Sequence, residues 1–152
     1  MLPTPKKFTM VCGSAEGPSK LNAFDNALLI SGIGNLNLLR VSSVLPPNCE
    51  EVPKLEIAPG SLTPTAYGSI TSDVPGERIS AAVAIGFTKA SYGIIMEFSG
   101  KCSKEEAEEI VAQMVRDAFA QRGEELANVK VLGTEHTVES IGCAFAAVAL
   151  WY

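Results

Sequence analysis

At 152 residues, with 47% apolar and 19% charged side chains, the chain is long enough to bury one hydrophobic core, and its composition excludes disorder. A net charge of −5, with 12 basic residues scattered along the sequence, excludes the Lys/Arg stripe that neutralises nucleic-acid phosphates. Four dispersed cysteines without a C-x-x-C pair, and a single histidine, argue against a zinc site and for reduced thiols in a cytoplasmic protein; no apolar stretch approaches the length of a membrane span, and the start "MLPTPKKFTMVCG" lacks a signal-peptide apolar run.

The first element is a strand in "FTMVCG". A helix follows from about Asn22 to Ser31, capped by Asn22, with Ala23, Ala27, Leu28 and Ile30 apolar, Asp25 within it and Gly32 as its stop. The segment "NLLRVSSV" is strand-like and is ended by Pro46 and Pro47. The stretches from Pro46 to Pro64 and at Pro75-Gly76 read as loops.

Two further strands lie in "RISAAVAIGF" and "YGIIMEF". Ser103 then opens the long helix "KEEAEEIVAQMVRDAFAQR", with Glu106 completing a capping box and Gly123 as the stop. Ala107, Ile110, Val111, Met114 and Ala118 recur at helical spacing as its apolar stripe. Strands in "VKVLGTEHTV" and "IGCAFAAVALWY" close the chain. Several of these runs alternate poorly, as strands covered on both faces do. Strands outnumber helices and the two are not regularly interleaved, so the expected class is α+β, one domain with sheet packed on sheet and helices outside.

The chemistry-bearing candidates are few. Gly32-Ile33-Gly34-Asn35 follows a helix rather than a strand and lacks the third glycine of a dinucleotide fingerprint; it reads as a helix cap leading to a turn, or as a place where backbone approaches a ligand closely. His136 has no triad context and reads as a structural or surface histidine. Glu97 closes an apolar run: it is either a strand-end surface glutamate or a carboxyl whose burial disfavours ionisation and suits it to deliver a proton near neutral pH. Ser42-Ser43 is uninformative as a pair. Its context is more telling, because Val41 and Val44 favour extended backbone and Pro46 keeps Leu45 out of the helical region, confining the pair where strain can be stored.

Four blocks, "LNAFDNALLISGIGNLNLLRVSSVLPP", "LTPTAYGSITSDVPGERISAAVAI", "GIIMEFSGKCSKEEAEE" and "EHTVESIGCAFAAVALWY", resemble the pyruvoyl-dependent arginine decarboxylases in sequence and order, over most of residues 21–152. The resemblance implies a four-layer αββα sandwich, a trimer with active sites between subunits, and self-cleavage between Ser42 and Ser43. Ser43 Oγ would attack the Ser42 carbonyl, and elimination and hydrolysis would leave a β chain of residues 1–42 and an α chain of residues 43–152 that begins with a pyruvoyl group.

That group, the only cofactor implied, would hold the substrate amine as a Schiff base and accept the electrons released when carbon dioxide departs. By position, Glu97 would return a proton to Cα, and Asn37 would polarise the Ser42 carbonyl and help place the substrate. Asp25 would face the guanidinium of L-arginine, Gly34 and Leu36 would line the site, and Ser42 would remain in it. The implied reaction yields agmatine, for polyamine supply or acid consumption. Two alternatives stand beside it: a pyruvoyl decarboxylase for another amino acid such as histidine, and an uncleaved oligomer that binds a cationic metabolite through Asp25.

Overall fold

The computed structural model describes residues 1–42, 44–89 and 91–152; Ser43 lies outside the described residues. In chain order the elements are β1 (Lys7–Glu16), α1 (Lys20–Ser31), β2 (Asn37–Arg40), β3 (Val44–Leu45), β4 (Glu50–Glu51), β5 (Leu62–Ser72), β6 (Arg78–Phe87), β7 (Gly93–Gly100), α2 (Lys104–Arg122), β8 (Asn128–Thr137) and β9 (Gly142–Trp151). They form one α+β domain with two sheets, ordered β2-β5-β9-β1-β4 and β3-β7-β6-β8.

Side-chain parity along the central strands explains why the sequence alternates poorly. On β6, Ala81, Val83 and Ile85 pack with Ala144, Ala146 and Val148 of β9, whereas Ala82 and Ala84 pack with Ala107, Val111 and Val115 of α2. The other parity of β9, Cys143, Phe145 and Ala147, meets Ala23, Ala27 and Leu28 of α1. Both faces of each central strand are therefore apolar, and β6 is buried from Ile79 to Gly86. Burying such side chains is worth roughly 25 cal/mol per Å² of apolar surface, the main favourable contribution to folding.

Helix α2 begins and ends where its signals place it: Ser103 Oγ accepts from the Glu106 amide at 3.1 Å, and Gly123 takes the left-handed conformation. Its buried stripe is Ala107, Val111, Val115, Ala118 and Phe119. Ile110 is excluded from it at 40% exposure, because the contact with β6 centres on the four-residue spacing from Ala107. Helix α1 starts earlier than expected. Ser19 is the cap and Asn22 sits in the first turn, its amide donating to Ser19 Oγ at 3.1 Å and its Oδ1 accepting from the same hydroxyl at 2.6 Å. Two cap-type residues at that spacing compete, and here they cooperate, with Ser19 on the outside.

Strand β5 falls partly in the stretch read as loop. Pro64 is tolerated because the odd-numbered carbonyls face β2: Asn37 and Val41 amides donate to the Ser61 and Thr65 oxygens, and pairing with β9 begins only at Thr65. The segment "NLLRVSSV" is not one strand. Asn37–Arg40 pair in parallel with β5 of the five-stranded sheet, whereas Val44 and Leu45 pair antiparallel with β7 of the other. Side-chain pattern reports extended backbone, and it does not report which neighbour accepts the hydrogen bonds.

Candidate active site

Between Arg40 and Val44 the chain leaves one sheet for the other. The serine pair occupies this passage in the sequence, with Ser42 exposed. The ladder persists up to its edge, since the Val41 amide still donates to Thr65 O at 3.2 Å and Val41 packs against the cluster between the sheets.

Glu97 stands in the interior of β7, not at its end. Its neighbour Ile95 belongs to the cluster between the sheets, and Ser99, on the same parity, donates to Ser69 O of β5 at 3.0 Å. The side chain thus points toward the five-stranded sheet. Gly68 of β5 faces it: a Cβ at 68 would stand 3.5 Å from Glu97 Cβ and 3.3 Å from Phe98 O. Burial pushes the Glu97 carboxyl above its usual range, and the Arg40 guanidinium partly opposes the shift. It is a half-buried carboxyl whose acid form is favoured, facing a residue with no side chain.

Asn37, at the start of β2, donates through Nδ2 to Gly60 O at 2.8 Å. An amide carries two N–H donors, so one has no partner among the described residues. The preceding loop is built on helix termination. Gly32 is left-handed at φ 87°, its amide reaching back to Leu28 and Leu29 oxygens, and Gly34 is packed so closely that a Cβ would come within 2.5 Å of Leu29 Cδ2. The close approach that these glycines permit is thus, in the single chain, to their own helix. Leu36 is half-buried against the α1 cluster and, with Ile33 and Asn35, lines a cavity of about 450 Å³ beneath the segment from Pro53 to Pro59.

Asp25 lies apart. It is exposed on α1, which packs on the face of β1 and β9 opposite to the cluster shared by the sheets, whereas Glu97 points into that shared space. The single chain brings Gly34, Leu36 and Asn37 together as one run, sets Ser42 two residues past the end of β2 and places Glu97 on the face of the five-stranded sheet opposite to α1, the helix that carries Asp25 and against which Gly34 and Leu36 pack.

Sequence reasoning missed Arg40. Its Cζ lies 4.1 Å from the centre of the Tyr67 ring, and its charge reaches Glu97. The available signal was its parity with Ser42 in an extended run. His136 is structural: its Nε2 lies 2.5 Å from Glu16 Oε2, while Glu16 Oε1 accepts from the Ser140 and Ile141 amides at 2.7 and 3.1 Å. Among the described residues no group of three or more His, Cys, Asp or Glu side chains is placed to hold a metal ion.

Comparison with known proteins bears directly on this arrangement. Residues 7–152 match the family described as Pyruvoyl-dependent arginine decarboxylase (PvlArgDC). The chain is similar to the curated proteins named pyruvoyl-dependent arginine decarboxylase of Methanocaldococcus jannaschii, at 54% identity over 97% of this chain and 91% of that one, and of Thermococcus kodakarensis, at 49% identity over 98% and 96%. The protein of that name from Pyrococcus furiosus is 48% identical over 98% and 96%.

Proposed function

The chain belongs to the pyruvoyl-dependent arginine decarboxylase family, and from that premise we propose that it decarboxylates L-arginine to agmatine with a pyruvoyl group made from its own Ser43. The observation that carries the site assignment is the placement of Glu97, a raised, half-buried carboxyl pointing from β7 toward the sheet that ends, at β2, beside the serine pair.

The residues present fit the group. Gly68 leaves space in front of Glu97, and the chain changes sheets between Arg40 and Val44, with Val44, the residue that follows the new terminus in sequence, paired with Ile94 of β7. When in place, a pyruvoyl group supplies an electrophilic ketone that takes up the electrons freed at the substrate Cα as carbon dioxide leaves. Glu97, whose acid form is favoured by burial, donates to that carbon afterwards. Asn37 uses its remaining N–H on the Ser42 carbonyl during cleavage and on the substrate thereafter. Gly34 and Leu36, which pack against α1, form the wall of the site on the side of Asp25, and Ser42 stays there as the end of the β chain.

Recognition of the guanidinium falls to Asp25, whose carboxylate can accept two parallel N–H bonds. Because α1 and Glu97 lie on different sides of the five-stranded sheet, the Asp25 that serves a given site is that of a neighbouring copy. The exposed surface supports this assembly. Leu21, Leu29 and Ile30 share α1 with Asp25 at 76%, 50% and 69% exposure, and Leu39 of β2 and Leu62 of the paired β5 are exposed near the bare β2 edge. Contiguous exposed apolar side chains and a bare sheet edge mark association surfaces. A trimer of four-layer αββα subunits, helices outside and sheets inside, accommodates both features. The four free cysteines fit a reducing, cytoplasmic compartment.

The test is release of agmatine and carbon dioxide from arginine, measured beside lysine, ornithine and histidine at equal concentration. Arginine should be consumed with the highest kcat/KM; preferential turnover of histidine would remove Asp25 from guanidinium recognition.

A further inference from the structure

Arg40 makes no ion pair among the described residues, yet its guanidinium is held over the Tyr67 ring at 4.1 Å. It borders a groove of about 360 Å³ lined also by Lys20, Leu21, Phe24, Tyr67, Ser69 and Thr71. Two cations and three hydroxyl-bearing residues line this groove, with no carboxylate among its described lining residues, in a chain whose net charge is −5. That is the chemistry of an anion receptor.

An anion arises two residues beyond Arg40. Val41 continues the β2 ladder and packs into the cluster between the sheets, so strand alternation sets the Arg40 side chain on the opposite face, over Tyr67, and Ser42 follows directly along the same run. In the self-cleavage assigned above, the acyl carbon of Ser42 first moves from nitrogen to Ser43 Oγ, giving an ester. A water-derived base then takes the proton from Cα of residue 43, and the C–H electron pair becomes the Cα=Cβ double bond. The bond from Cβ to the ester oxygen breaks, and its electron pair leaves with Ser42 as a carboxylate.

We propose that this groove receives the carboxylate created at Ser42, with Arg40 as the group that stabilises it while the bond to Cβ breaks. The inference rests on the self-cleavage reading and adds to it a cation for the leaving group. Positive charge fixed in advance where negative charge develops needs no reorganisation during the reaction, and the Tyr67 ring is what fixes it.

The experiment follows maturation of freshly translated chains by denaturing intact mass spectrometry, for the native chain, Arg40→Gln and Arg40→Lys, with and without hydroxylamine at neutral pH, which cuts esters and leaves amides. Circular dichroism establishes that each variant is folded; Arg40 is exposed, so the core is not disturbed. Arg40→Gln is expected to mature about tenfold or more slowly, the scale of one lost charge-assisted bond in a rate. It should accumulate a full-length species that hydroxylamine splits into residues 1–42 and 43–152, and Arg40→Lys should fall between it and the native chain. Maturation of Arg40→Gln at the native rate overturns the proposal, as does slow maturation with no hydroxylamine-sensitive species. A native chain that never cuts between Ser42 and Ser43 removes the underlying reading and the inference with it.

Discussion

Glu97 shows how one residue's chemistry follows from its position on a strand. The odd-numbered side of β7 faces the other sheet, so the carboxyl is withdrawn from water opposite a glycine, and burial lifts its pKa against the pull of Arg40. If the acid form returns the proton to Cα, turnover is full below the raised pKa and declines as pH rises through it. Glu97→Gln should cleave normally and turn over at least about a hundredfold more slowly, without that alkaline decline, since general acids contribute on the order of 10²–10⁴; full activity in this variant would relieve Glu97 of the role. Asp25→Ala should raise KM for arginine strongly and leave cleavage intact, and unchanged arginine kinetics would contradict its assignment. Glu97 was legible in the sequence as a carboxyl in an apolar run, although its place inside the strand was not. Arg40 was not legible, because an exposed cation in a short run reads as a solvated one until the partner beneath it, Tyr67, is known.

At the scale of elements, what punctuates the sequence locally was readable and what depends on distant partners was not. Gly32, Ser103 and Gly123 end or begin helices by properties of their own, and the structure keeps them in those roles. Strand β5 was hidden because Pro64 suggests a break, and only its neighbours show that the missing N–H falls where no ladder needs it. The division of "NLLRVSSV" between two sheets was hidden for the same reason, and it is the division that matters to function. The pairing of Glu16 with His136 and the turn before β9 was equally out of view, being made across more than a hundred residues. It yields a prediction about stability. Burial raises the Glu16 carboxyl, but the bond to His136 and the backbone amides outweigh it and hold the pKa down to about 2, below the usual carboxylate value of about 4.3. A folded-state value below the unfolded one stabilises above about pH 4.3 and is lost as pH falls toward 2. Glu16→Gln should therefore melt at lower temperature than the native chain at pH 7, with the difference shrinking from about pH 5 downward; a constant difference across that range would show that the charge is not what matters.

For the whole molecule, composition sufficed for one domain and poor alternation sufficed for strands covered on both faces. The arrangement of subunits could only be inferred, because a sequence does not distinguish an apolar residue that meets its own core from one that meets a second copy. Leu21 and Leu29 on α1, near Asp25, are exposed in the single chain, and that exposure is the ground for the proposed contact with a second copy. Sedimentation should give three times the chain mass, and a monomer that decarboxylates arginine would contradict a site shared between copies. All of this depends on one covalent event. Denaturing intact mass spectrometry of the purified protein tests it most directly: the account predicts residues 1–42 and a second fragment, residues 43–152, with the mass of an N-terminal pyruvoyl group, and a single uncut chain from Ser43→Ala. An active native protein that remains one intact 152-residue chain would contradict it.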